Sequence, residues 1–245
     1  MCKSNDTMKL LKLLFLVLTI SCTKSNSSIN PDKYSNNYNI NSGDKSCENI
    51  FQFGKANLCI PKIEGMYNII NNIESKDYIQ SKNFPGNTFV AYYVNKKLYK
   101  NLQVLWEDQF DDFFQIYVTN HNENKDVDIS YFTEVNKNYL ENYLNSDKWE
   151  TLKKRLENIN ENNVFEKPIL IESYSLSKNS MQYVTLVTIK KKNTSKNMIA
   201  IGNMFIVQNR LFFSSYNKFY QNFNSIEEAK KRNNELMLKI IDNNK

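Results

Sequence analysis

Apolar and polar positions along this chain alternate between two periods, and each change of period marks an element. Ile50–Phe53 and Leu58–Ile60 flank Gly54-Lys55-Ala56-Asn57, which predicts a hairpin ended by Pro61. Met66, Ile69, Ile70 and Ile73 recur at helical spacing and predict a short helix from Gly65 to Ile73. Thr88–Val94 and Phe113–Thr119 are apolar and rich in β-formers, as strands are. Asn120–Asn124 is a polar turn cluster. Phe132–Leu144 then carries Val135, Tyr139, Leu140, Tyr143 and Leu144 on one helical face. Ser146 reads as the cap of a second helix, in which Trp149, Leu152, Leu156 and Ile159 face inward and Lys153, Lys154 and Arg155 outward. Four strands follow in a row: Ile169–Leu176, Gln182–Lys190, Met198–Val207 and Leu211–Tyr216. Short polar turns join them, the mark of an antiparallel meander. Ser225 and Glu228 have the spacing of a capping box, with Ser225 as N-cap. The helix they open runs to about Ile241, with Ile226, Ala229, Leu236, Met237 and Ile240 inward.

This order predicts one α+β domain over residues 47–245, a central antiparallel sheet with helices packed on it. No internal repeat is visible. The layout resembles the PsbP-like family of α/β/α sandwiches. The residues carrying the likeness are Phe51-Gln52-Phe53, Leu58-Cys59-Ile60-Pro61 and Gly65 at the start. At the end they are Gly202–Val207, Leu211–Tyr216 and the helix from Ser225. The Trp often found beside that Gly in the family is absent here. The resemblance implies a scaffolding or binding role, and it transfers no functional residue.

Ahead of the domain, residues 8–22 read MKLLKLLFLVLTISC. Lys9 and Lys12 precede an apolar run from Leu13 to Ile20, too short to span a bilayer, which takes about 20 residues. A positive start, a short apolar stretch and small residues before a cut describe an export signal. Met8 is an alternative start to Met1. Leu18-Thr19-Ile20-Ser21-Cys22 resembles a bacterial lipobox, although Leu18 stands four places before the Cys where the family prefers three. The resemblance implies that Cys22 is acylated and becomes the mature N-terminus. Thr19 and Ser21 also suit an ordinary signal peptidase, and an uncleaved leader is a third reading. The expected organisation is a signal peptide over 1–21, a lipidated polar tether over 22–46 and the domain. Two or three acyl chains give stable anchoring without a transmembrane helix. The expected location is the bacterial cell envelope, with the domain in the periplasm or on the cell surface. Thr23 is not the Asp that, by resemblance to enterobacterial sorting, retains a lipoprotein in the inner membrane, so the outer membrane is favoured.

Removing the leader leaves Cys47 and Cys59 as an even pair in an oxidising compartment, and a disulfide is the leading expectation. Two unpaired buried thiols are the alternative. The chain has 5 Gly and 4 Pro, too few for a Gly-rich phosphate loop or a Pro-rich linker. Its 39 asparagines suit turns and caps, and they are given no functional weight. The whole chain carries +6. Losing Lys3, Lys9, Lys12 and Asp6 with the leader leaves +4, which gives no reason to expect a nucleic-acid partner.

Candidate chemistry is sparse. His121, the only histidine, sits in the Asn-rich turn, where a solvated role is the expectation. Asp108, Asp111 and Asp112 lie in an acidic and aromatic run and could serve a cation, a sugar or an acidic hydrolytic pocket. Two Cys and one His do not complete a zinc shell, and no metal or other cofactor is expected. Lys190, Lys191, Lys192 and Lys196 make a basic hairpin tip, either solvated or touching anionic lipid. Tyr216, Phe219, Tyr220 and Phe223 form an interaction patch if exposed and the seat of the last helix if buried. The reading that results is a non-catalytic binding or accessory lipoprotein with a protein partner, an immunity protein being one version. The alternative is an envelope-polymer hydrolase, which predicts a concave pocket bringing some of Asp108, Asp111, Asp112 and His121 together.

Overall fold

The structure, a computed structural model, describes residues 47–72, 75, 79, 86–100, 112–144, 149–150, 153–154, 163–191 and 194–245. Residues 1–46, with Cys22, lie outside them, as do Ile73, Asp108, Asp111, Ser146, Leu152, Arg155, Leu156, Ile159 and Lys192.

The chain folds as α+β. Strands β1 (Cys47–Phe53) and β2 (Ala56–Pro61) form a hairpin of their own. Strands β3 (Met66–Asn68), β4 (Asn87–Asn95), β5 (Phe113–Thr119), β6 (Asn163–Phe165), β7 (Ile169–Ser177), β8 (Ser180–Lys191), β9 (Thr194–Val207) and β10 (Arg210–Phe219) build an eight-stranded sheet. Its order is β3-β4-β5-β10-β9-β8, with β6 and β7 following one another along the outer edge of β8. Every pairing is antiparallel. The helices described from end to end are α1 (Lys96–Lys100), α2 (Ile129–Leu144) and α3 (Phe223–Asn243), and residues 75, 79, 149–150 and 153–154 are helical as well. The expected meander is present as β7 to β10.

Both faces of the central strands are covered. The β1–β2 hairpin (Phe51, Phe53, Leu58, Ile60) and α3 (Ile226, Ala229, Leu236, Met237, Ile240) cover one face. There they meet Val90, Tyr93, Phe114, Ile116, Ile201, Phe205 and Phe212 of the sheet. The other face carries Phe89, Tyr92, Phe113, Tyr117, Tyr183, Met204 and Phe213 beneath Phe132 and Tyr139 of α2. Ile69, Ile70, Leu98 and Trp149 complete that second core. Strand β4 keeps both faces filled by a bulge. Phe89 pairs with Tyr117 and Ala91 with Ile116, so Val90 is the inserted residue. Phe89 and Tyr92 thereby face one core while Val90, Ala91 and Tyr93 face the other.

Several local expectations need correction. Gly65–Ile73 does not open a helix, because Met66–Asn68 pairs with β4 as β3. The 3–4 spacing arose from a strand and a turn feeding opposite cores, Met66 into one and Ile69 and Ile70 into the other. Asn68 fixes this turn: its Oδ1 accepts from the Tyr92 and Ile70 amides at 3.1 and 3.3 Å. The β1–β2 turn is only Gly54-Lys55, since Phe53 already pairs with Ala56. The last helix is capped by Asn222, not by Ser225. Asn222 Oδ1 accepts from the Ser225 amide at 3.2 Å, and Ser225 Oγ accepts from the Asn222 amide at 3.1 Å. Ser225 is therefore the third helical residue of the box. Helix α2 starts at Ile129, three residues before the predicted start, because Asp128 Oδ1 accepts from the Tyr131 amide at 2.7 Å.

Polar residues inside the covered sheet are paired with one another. Asn203 of β9 and Asn233 of α3 are both fully buried and exchange two amide hydrogen bonds, at 2.9 and 3.0 Å. Asn203 also donates to Ser214 Oγ at 3.0 Å. This pair fastens α3 to the sheet at a fixed register. Asn233→Ala leaves the Asn203 carbonyl oxygen buried without that donor, so a loss of about 2–3 kcal/mol is expected in urea denaturation. The Asn203→Ala/Asn233→Ala double variant should lose clearly less than the sum of the two single losses.

Candidate functional site

Strand β5 settles the Asp112–His121 part of the acidic-pocket expectation, Asp108 and Asp111 lying outside the described residues. Asp112 stands immediately before it and His121 just after it, so seven extended residues hold them roughly 25 Å apart at opposite ends of the domain. The two do not converge, which corrects the hydrolase arrangement for this pair. Asp112 adopts φ 62°, a left-handed conformation that Asp tolerates, and its Oδ1 accepts from the Tyr216 hydroxyl at 2.6 Å. His121 is exposed in a single 3-10 turn, Asn120–Asn122. Partial desolvation and then the charge of Lys125 push its pKa below the ordinary value, so the imidazole is neutral at pH 7. Among the described residues, no three His, Cys, Asp or Glu side chains group to hold a metal ion.

At the His121 end three turns are locked together by Arg210, a charge the sequence reading passed over. The Arg210 side chain is only 3% exposed. Its Nε donates to the Glu123 carbonyl at 2.8 Å, and its Nη1 to the carbonyls of Asn209 at 3.1 Å and Lys125 at 3.3 Å. It also pairs with the Asp126 carboxylate, whose pKa the hydrogen bond from Arg210 and its charge lower. Gly54 comes so close that an added Cβ would lie 2.1 Å from the Glu123 oxygen. Its φ of +58° also calls for glycine. With every neighbour a backbone carbonyl or a structural carboxylate, Arg210 serves as a clasp.

A polar strip lies on the α2-facing side of the sheet. Ser215 Oγ accepts from Gln115 at 2.6 Å and from Asn217 at 3.0 Å, and all three residues are fully buried. The carbonyl oxygens of the two amides, Gln115 Oε1 and Asn217 Oδ1, have no hydrogen-bond partner among the described residues. Nearby, the Tyr183 hydroxyl donates to Asn136 Oδ1 of α2 at 2.5 Å, and desolvation raises the Tyr183 pKa well above the usual tyrosine value.

The opposite end holds most of the remaining sequence candidates. Strand β2 runs from the Arg210 clasp, where the Asn57 amide donates to Gln208 Oε1 at 3.0 Å, towards Pro61. The Pro61 carbonyl accepts from the buried Tyr93 hydroxyl at 2.7 Å. Burial, then the charge of Glu48, raises the Tyr93 pKa well above the usual value. Cys47 pairs with Pro61 in the hairpin register and is joined to Cys59 by a disulfide. Residues 1–46 therefore join the domain at this end. So do Met66 and Tyr67, helix α1 with Lys96, Lys97 and Lys100, and Asp112. Across the sheet lie the β8–β9 tip, with Lys190 and Lys196, and the end of β10, with Lys218 and Phe219. The tip is partly neutralised, since Lys190 pairs with Glu166 and a hydrogen bond from Lys190 lowers the Glu166 pKa. Lys196 lies over the Phe219 ring, 5.2 Å from its centroid.

The four-residue aromatic patch does not form as one surface. Tyr216 is buried under α3, while Phe219 and Tyr220 are half-buried against opposite cores. Only Phe223 of the four is open, at 70% exposure. Alternation along β10 sends neighbouring side chains to opposite faces, which a cluster in sequence does not reveal. Tyr67 and Tyr99, which the sequence reading did not single out, stack at 4.3 Å and are both exposed.

No protein-family model and no curated protein matches this chain. The two ends of the domain differ, one clasped by Arg210 and the other carrying exposed lysines and aromatic rings.

The clasp generates a direct expectation. Arg210→Leu removes the donors from three carbonyls and should cost about 2–3 kcal/mol in chemical denaturation. Asp126→Asn, which removes only an exposed carboxylate, should cost much less.

Proposed function

We propose that this chain is a bacterial cell-envelope lipoprotein, anchored by acyl chains on Cys22, whose domain is a binding or accessory module for a protein partner. The observation that carries the reading is the run Met8–Cys22, with its two lysines, short apolar stretch and lipobox-like end. The Cys47–Cys59 disulfide supports it independently, because such bonds persist in oxidising compartments outside the cytoplasm. Its position adds to the case. The bond lies where residues 1–46 reach the fold and ties β1 to β2, so a pull on the tether is taken up by the hairpin.

In the same reading, residues 22–46 are a polar tether and the domain belongs with the PsbP-like α/β/α sandwiches. The layering of α3 and the hairpin over one sheet face, and α2 over the other, supports that assignment. Thr23 after the acylated Cys favours the outer membrane. The binding role is supported by the character of the surface: the exposed features are lysines and aromatic rings at one end, and Asp112 and His121 are held apart.

The anchor is tested by growing cells with labelled palmitate. The wild-type chain should take up label and sediment with membranes, whereas Cys22→Ala should lose both properties. A Cys22→Ala chain labelled as strongly as wild type would sink the proposal.

A further inference from the structure

Two lysine groups almost a hundred positions apart in the sequence occupy the same end of the domain. Lys96, Lys97 and Lys100 stand on α1, whose buried Leu98 fixes the helix so that all three point into solvent. None of them makes an ion pair among the described residues. Lys190, Lys196 and Lys218 lie on the far side of the same sheet end. From β4 to β9 is three strand spacings, about 15 Å. Lys62 follows directly after β2. Among the described residues most carboxylates at this end are engaged, Glu227 with Lys230 among them. Glu166 pairs with Lys190, Glu228 with Lys218, Asp112 accepts from Tyr216, and Glu48 feels the charge of Lys62. Glu64 is the exposed remainder.

Exposed aromatic rings follow the same distribution. Tyr67 (37%), Tyr99 (40%) and Phe223 (70%) are the large exposed aromatics of the described residues, and all three lie at this end. The opposite end, around Lys55, Glu123, Lys125 and Asp126, mixes charges of both signs and, among the described residues, exposes no aromatic ring. Rings that rest at head-group depth beside lysines that reach phosphates are the usual composition of a surface meeting an anionic bilayer.

We propose that this end of the domain, with Lys96, Lys97, Lys100, Tyr67, Tyr99 and Phe223 as its principal residues, docks onto an anionic phospholipid bilayer. The inference rests on the anchored reading above for its delivery to the membrane, and the site where the tether joins supports the choice of occupant. Residues 22–46 meet the fold at Cys47, opposite Pro61, and Pro61 stands five residues before Met66. A polar chain of that length spans about 25–30 Å on average, so the end that carries the tether is the end held against the bilayer. Lipid anchoring supplies proximity, and the lysines and rings supply orientation.

The test uses the mature acylated protein with an environment-sensitive fluorophore on Phe223→Cys. That thiol is the free one if Cys22 is acylated and Cys47–Cys59 stays bonded. Asn124→Cys, exposed at the opposite end, is the control. The protein is reconstituted into phosphatidylcholine vesicles with or without about 30% phosphatidylglycerol, enough to give the negative surface potential the lysines need. The expected result is a blue shift at position 223 on the anionic vesicles alone. Position 124 should stay aqueous. The shift should vanish in Lys96→Glu/Lys97→Glu/Lys100→Glu and weaken as salt is raised. A probe at 223 that stays aqueous on anionic vesicles, or equal shifts at both positions, overturns the docking face. Fatty-acid label scored on the same preparation separates the two ideas. An unlabelled chain sinks the anchor, and the probe's response to added vesicles still decides the face.

Discussion

Covering both faces of the sheet is the constraint on which the rest of this structure depends. Strands β4, β5 and β10 are buried along nearly their whole length, so alternation no longer sorts their residues into wet and dry. A polar side chain there must meet another polar side chain or a backbone carbonyl, as the Tyr93 hydroxyl does at Pro61, and leaving it unpaired costs about 1–3 kcal/mol. The reciprocal Asn203–Asn233 amides, the Tyr183–Asn136 bond and the Gln115–Ser215–Asn217 strip all answer that demand. Two of the three also join a covering helix to the sheet, so the pairs that satisfy buried groups set the position of α2 and α3 as well.

With the faces closed, contact with other molecules is left to the ends and edges. The ends have diverged. One spends its buried cation on its own carbonyls, drawing the Gly54, Glu123–Asp126 and Gln208–Asn209 turns around Arg210. The other keeps its cations facing outward, receives the N-terminal segment and exposes aromatic rings.

Much of the fold was legible because the strands write themselves plainly. Phe113–Thr119 matches β5, the four-strand meander is in place, and the five inward residues of the last helix are all buried. Where the reading failed, two structures shared one local pattern. Met66, Ile69 and Ile70 fit a helical face, yet a strand and a turn place them equally well in two different cores. Asn222 and Ser225 are both good caps three residues apart, and the backbone chose the earlier one. The separation of Asp112 from His121 was answerable from sequence alone, since a strand over 113–119 lies between them. The shared end of Lys96–Lys100 and Lys190–Lys196 was not, because only the strand order β4-β5-β10-β9-β8 brings them together.

The central claim is that the chain leaves the cytoplasm and carries lipid at Cys22. The mass of the intact mature protein extracted from membranes tests it most directly. The account predicts a chain that begins at Cys22, carries a diacylglyceryl group and retains the Cys47–Cys59 bond. A mature chain that keeps residues 8–21, or one that begins at an unmodified Cys22, would contradict it.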